Sequence, residues 1–220
     1  MSNIAAGTSV TPTGDAEHDA HGLPYDPTGA KIGMWLFLFT EVLLFGSLFI
    51  MYAVYLNRYF WQFRDGSAQL SILFGGINTA VLLTSSLTMA LSIAALARGH
   101  VQFCQKLLNW TLFLAFVFLV IKAFEWGAKF EHHIYPNSPY LIDQGDGKGL
   151  VVFYNTYFTM TGLHALHIVA GIGVIIWAKA LIAKGKVNPE RAVLLDNVGL
   201  YWHLVDLVWI FLFPLFYLIG

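Results

Sequence analysis

Several ionisable side chains in this sequence stand where nearly everything around them is apolar. His164 and His167 are three residues apart inside the run Tyr157 to Trp177. Glu41, Lys122, Glu125, His203 and Asp206 are embedded in similar surroundings. An ionisable group in such a place is costly unless it meets a protein partner, a lipid headgroup or water. An imidazole beside a carboxylate can hold or pass a proton, because each favours the charged or hydrogen-bonded form of the other. His167 and His203, if they come from facing helices, can be drawn as the axial pair of a haem. His164, His167 and His203 can be drawn as a metal site, although no further His or Cys at ligand spacing accompanies them. Lys122 and Glu125, at i and i+3 with Lys129 four residues on, suit an ion pair within one helix. The blandest reading is that all of these are polar contacts fixing how helices pack.

The elements that carry these groups are long apolar runs. Five are long enough to cross a bilayer, which takes about 20 residues. They are Ile32 to Leu56, Leu70 to Ala97, Leu107 to Phe130, Val152 to Ala183 and Val193 to Ile219. The fold expected is an all-α, five-helix transmembrane bundle over residues 31–220, preceded by a mobile polar tail over 1–30 that holds His18 and His21. Connections are short, except Glu131 to Leu150, whose prolines and glycines suggest an ordered or semi-ordered surface loop. At about 1.5 Å of rise per residue, Glu41 lies roughly 15 Å from one end of its span, with His203 roughly 16 Å and His167 roughly 18 Å from the same side. Three groups on three helices therefore share a depth and could meet. Asp206, at i+3 from His203, could orient that ring. His164 and His167 share a helix face, and Gly162, Ala165 and Gly171 beside them would admit a close backbone. Asn78, Thr79, Ser85 and Ser86 suit hydrogen bonds between helices.

Composition sets the class. The chain is 57% hydrophobic and 11% charged, against about 25% charged in soluble domains. The net charge of -1 and the lack of a basic cluster exclude nucleic-acid binding as a reading. One cysteine, Cys104, excludes an internal disulfide and a cysteine-rich metal site. With the N-terminus cytoplasmic, that side carries Lys31, Arg98, Lys106, Lys179, Lys184, Lys186 and Arg191. The other side carries Arg58, Arg64, Lys129 and Lys148. The positive-inside rule then puts the N-terminus in and the C-terminus on the outer, periplasmic side. Tyr55, Tyr59, Phe60 and Trp61 would form an aromatic belt there.

Motifs in the spans resemble one family. Trp202, His203, Val205, Asp206, Val208 and Trp209 match the Trp-His-x-Val-Asp-x-Val-Trp pattern that closes subunit III of haem–copper oxidases. Gly162, Leu163, His164 and His167 match its penultimate helix; Gly33, Met34, Phe37 and Glu41 match an early helix. Asn78, Thr79, Leu82 and Ser85 match a fourth pattern, and Glu125 with Trp126 a fifth. Together the motifs cover residues 32–219 in the right order.

The resemblance implies a non-catalytic core subunit of a respiratory terminal oxidase in a bacterial inner membrane. Such a subunit holds no haem, copper or other metal. It packs against subunit I and other oxidase subunits, whose haem and copper reduce oxygen to water while protons move outward. It also binds phospholipid and supports proton uptake. Glu41, His164, His167, His203 and Asp206 become candidates for a lipid-linked polar cluster, with Asn78, Glu125, Trp126, Trp202 and Trp209 secondary. The usual family member has seven spans, so this chain begins at the third, and the lipid cleft lacks a wall or borrows one from a partner. The equivalent subunit of a quinol oxidase or nitric oxide reductase is the near alternative. A small proton-coupled transporter using Glu41, His167, His203 and Asp206 as a relay is the remote one, and it would be expected to show repeats and broken helices.

Overall fold

Asp26 starts the first helix. Its carboxylate accepts from the backbone N–H groups of Thr28 and Gly29 at 3.0 and 2.9 Å, and Pro27 occupies the first helical position. The computed structural model describes residues 26–136, 138, 147–188 and 192–220. Among these the helices are α1 (Pro27–Arg58), α2 (Phe60–Ala68), α3 (Ile72–Ala97), α4 (Val101–Glu131), α5 (Gly147–Ala183) and α6 (Val193–Tyr217). The five long ones are long and apolar enough to cross a membrane. A helix is required there because a backbone in lipid must satisfy its own hydrogen bonds. These helices are apolar all round, since one face meets protein and the other lipid.

The expected spans hold with shifted ends: α1, α4 and α5 are longer, whereas α3 starts two residues after Leu70 and α6 stops two before Ile219. α1 begins five residues before the expected Ile32, at Pro27, and α4 six before Leu107, at Val101. The Glu131 to Leu150 connection is shorter than expected, since α4 and α5 extend into it; residues 137 and 139–146 lie outside the described residues. So do His18, His21 and the rest of 1–25. α2 was not anticipated. Its Phe63 is fully buried between Tyr52 of α1 and Phe153 of α5, edge-on to both at 5.4 and 5.3 Å. Phe60 and Trp61, read as part of an interfacial belt, remain exposed on its other side.

The ends of α3 and α5 use glycine where the chain turns left-handed, while His133, at φ 58°, does so after α4. Gly99, at φ 79°, ends α3, with its N–H on the Leu96 carbonyl and that of His100 on Ala95. Gly185, at φ 69°, ends α5 with the same pair of bonds, to Ile182 and Leu181.

α6 is the axis of the bundle. Half of its apolar span is buried, against 11% of the span of α1. It packs on α3, α5 and α1; α3 packs most extensively on α4, and α1 sits at the margin against α5 and α6. Tyr52 of α1 donates to the Leu215 carbonyl of α6. Gly171 of α5 admits the indole of Trp202: a Cβ there would come within 2.8 Å of the ring and 3.3 Å of Tyr201. The close approach expected at this glycine is therefore by an aromatic ring rather than a backbone. At Gly199 the added Cβ meets Ile93 Cδ1 at 2.4 Å, the free end of a flexible chain. Gly171→Ala should therefore destabilise the detergent-solubilised chain by about 1–3 kcal/mol through overpacking, and Gly199→Ala by clearly less. Thermal unfolding of the two variants side by side checks this, and equal losses would contradict it.

Candidate functional site

The embedded polar residues sort into separate groups. The most complete joins three helices. Lys122 Nζ of α4 donates to Glu125 Oε2 at 3.1 Å, to Tyr157 Oη of α5 at 2.9 Å and to Tyr217 Oη of α6 at 2.8 Å. Both tyrosines donate to Glu125 Oε1, at 2.8 and 2.6 Å. The three ammonium hydrogens, both carboxylate oxygens and both phenols are thus all engaged. Lys122 also lies over the rings of Tyr157, Trp209 and Tyr217, at 4.8, 5.2 and 5.4 Å. The intrahelical pair was legible from its i, i+3 spacing. The tyrosines were missed, because a tyrosine in an apolar span reads as packing. Lys129 takes no part in it: its ammonium donates to the Gln69 carbonyl at 2.6 Å and lies over Tyr154.

A second group sits between α1 and α5. His167 Nε2 is 2.9 Å from Glu41 Oε2, and both side chains are 14% exposed. His167 Nδ1 is 2.8 Å from the Leu163 carbonyl, which can only accept, so Nδ1 carries a hydrogen. One further proton then lies between Nε2 and Oε2, on either atom. The Tyr201 hydroxyl donates to the His167 carbonyl at 3.0 Å, and Phe45 meets the ring edge-on at 5.2 Å. Next to this pair, Met34, Phe37, Val174, Trp177, Leu194 and Tyr201 line an apolar cleft of about 340 Å³ between α1, α5 and α6.

Glu41 and His167, expected at one depth, do meet, but His203 does not join them. Its Nδ1 is 2.7 Å from Ser86 Oγ of α3. Tyr201, which touches His167, precedes it by two residues, a rotation of about 200° at 3.6 residues per turn, so His203 faces the other way. Asp206 does not orient the ring as expected. It is buried against α3, beside Ser86, with neither oxygen in a well-formed hydrogen bond. The haem pair drawn from His167 and His203 is therefore not assembled.

His164 and His167 also part company. Residues at i and i+3 differ by about 60° around a helix, enough here to put them on two sides of a contact. His164 is 1% exposed, stacked on Trp209 at 5.2 Å and edge-on to Phe118 at 5.7 Å. Neither of its ring nitrogens has a hydrogen bond. Among the secondary candidates, Trp202 donates to Ser85 at 3.1 Å and Trp209 to Thr79 at 3.0 Å, while Trp126 packs edge-on against Phe158. Asn78 is fully buried with its amide unpaired. Among the described residues no group of three or more His, Cys, Asp or Glu is placed to hold a metal.

Compared with known proteins, residues 15–220 match the profile described as cytochrome c oxidase subunit III. The chain belongs to that family. Its helices and its relatives make this subunit III family member a multi-pass bacterial membrane protein. It is 30% identical to cytochrome c oxidase subunit 3 of Corynebacterium diphtheriae over 88% of this chain and 89% of that one. It is also 30% identical to cytochrome bo(3) ubiquinol oxidase subunit 3 of Pseudomonas aeruginosa, over 100% and 99% of the two chains. A heme-copper oxidase subunit I+III of Aeropyrum pernix is 28% identical over 89% of this chain but 23% of its own length.

The Lys122 group yields a stability test in this subunit III family member. Lys122→Met strands a buried carboxylate and should cost about 3–5 kcal/mol. Lys122→Met combined with Glu125→Leu should cost less than the single change. A double-mutant cycle read by thermal unfolding in detergent measures this, and additive losses would contradict the network.

Proposed function

We propose that the chain is a non-catalytic core subunit of a bacterial respiratory haem–copper terminal oxidase. In the complex, oxygen is reduced to water by a partner, subunit I, that holds the haem and copper. The family match over residues 15–220 carries this reading. The partner follows from the Aeropyrum pernix relative, whose name joins subunits I and III in one chain. In this role the closed Lys122 group is structural. The Glu41–His167 pair is the chemically open one, because it is partly exposed and shares one proton between two atoms. The adjoining apolar cleft suits an acyl chain of a membrane phospholipid. Lipid held there would keep the pair's surroundings constant while the partner turns over. The chain's cationic side, including Lys31 and Lys179, faces the cytoplasm in this reading.

Electron donors of both kinds are represented at the same identity, in the cytochrome c and the ubiquinol oxidase relatives. Supplying the purified complex with reduced cytochrome c or with quinol decides between them. The transporter reading loses to the family match.

Two measurements test the role. Affinity purification of this chain from its native membrane in mild detergent should bring haem absorption and oxygen consumption with it. Stripping off this chain alone should leave the haem behind; haem that stays on the isolated chain would sink the non-catalytic reading. In the intact complex, Glu41→Gln keeps a side chain able to hydrogen-bond His167 but unable to exchange a proton with it. Its haem content should equal wild type, and it should complete several-fold fewer turnovers before inactivation. Loss of haem from a folded complex would contradict this.

A further inference from the structure

α6 has one strip that nothing among the described residues covers. α1 packs against one side of α6 through Phe37 on Tyr201 and Phe49 on Phe211. α3 packs against another through Ser86 on His203 and Thr79 on Trp209. Between them run His203, Leu207, Ile210 and Pro214, at spacings of four, three and four that keep one helix face. Leu207 and Ile210 are 49% and 45% exposed, and Pro214 is exposed as well.

This strip is apolar except at two points. The first is His203, ten residues past Val193 and so about 15 Å along the helix, near the middle of the span. Its Nδ1 is held by Ser86, whereas Nε2 has no hydrogen-bond partner among the described residues, and the side chain is only partly buried. The second is the Ile210 carbonyl. Pro214 lies inside the helix and has no N–H to give to the residue four before it. An acyl chain offers neither a donor nor an acceptor. In membranes, freed backbone and side-chain groups at this depth are met by neighbouring helices, hydroxyl side chains, ordered water or a local change of helix type, and of these a helix is the one that also covers the apolar strip.

We infer that the His203–Pro214 strip of α6, between α1 and α3, is the seat of a transmembrane helix of the haem-bearing subunit, which presents a polar side chain to His203 Nε2. This rests on the oxidase reading above and says which face of the chain that reading uses. The far face of α4, where Phe113, Phe116 and Phe124 are exposed, carries no such mid-depth polar group and is left to lipid.

The test uses the whole complex purified from native membranes. A photoreactive benzoylphenylalanine replacing Leu207 should cross-link to the haem-bearing subunit, and the same probe at Phe124 should not. His203→Leu should lower the fraction of this subunit kept through a detergent wash about tenfold, equivalent to about 1.4 kcal/mol; His203→Gln, which can still hydrogen-bond, should restore most of it. Adducts of the Leu207 probe with lipid alone, or cross-links from Phe124 instead, overturn the assignment while leaving the oxidase reading intact. Absence of any haem subunit from the wild-type isolate overturns both. If His203→Leu does not accumulate, the cross-linking pair alone decides.

Discussion

A lysine and a glutamate inside an apolar helix must neutralise each other and then use up their remaining hydrogen-bonding capacity. Lys122 and Glu125 manage the first on α4 alone and the second only because Tyr157 and Tyr217 reach them from α5 and α6. A phenol suits this position because it accepts from the ammonium through its lone pairs and donates to the carboxylate through its hydrogen. The requirement sets the register of three helices at one level, and the aromatic packing of that end follows. Phe216 and Phe153 meet the Tyr157 ring, and Tyr52 and Phe63 continue the cluster to α1 and α2. A buried ion pair of this kind adds little net stability over well-packed apolar residues; what it specifies is which neighbours each helix has.

The polar groups nearer the middle of the bundle obey a different rule. They are separated by direction around their helices rather than by depth. On α5, His167 turns to α1 and His164 to the interior between α4 and α6. On α6, Tyr201 turns to α5 and His203 to α3. The Glu41–His167 pair and the Ser86–His203 contact therefore open on different sides of the bundle. One adjoins the apolar cleft, and the other lies on the uncovered strip of α6.

How much of this is legible in the sequence follows from the same geometry. Spans are legible because an apolar run of twenty or so residues is rare outside a bilayer, and the family is legible from motifs in several of them. Depth is legible too, since rise per residue is constant, and it paired Glu41 with His167 correctly. Direction is not, because each residue turns about 100° and the neighbouring helices must be known before that angle means anything. His203 and Asp206 were misplaced for this reason. α2 was missed because its mixed sequence takes its burial from Phe63 and from Gly66 against Phe153, neither of which a local pattern reveals. The early start of α4 was missed because Gln102, Gln105 and Lys106 lower its hydropathy without breaking the helix.

The position of Lys122 and Glu125 on one helix, three residues apart, also bears on biosynthesis. α4 leaves the ribosome before α5 and α6 exist, so its charges enter the membrane without either tyrosine. At that stage their only partners are each other. An ion pair contained within a single turn lets the span cross as a neutral unit, whereas the same two charges on different helices would each have to wait unpaired in lipid. The later helices then close the network around a pair that is already made. The order of the residues along the chain thus matches the order in which a nascent chain meets the bilayer.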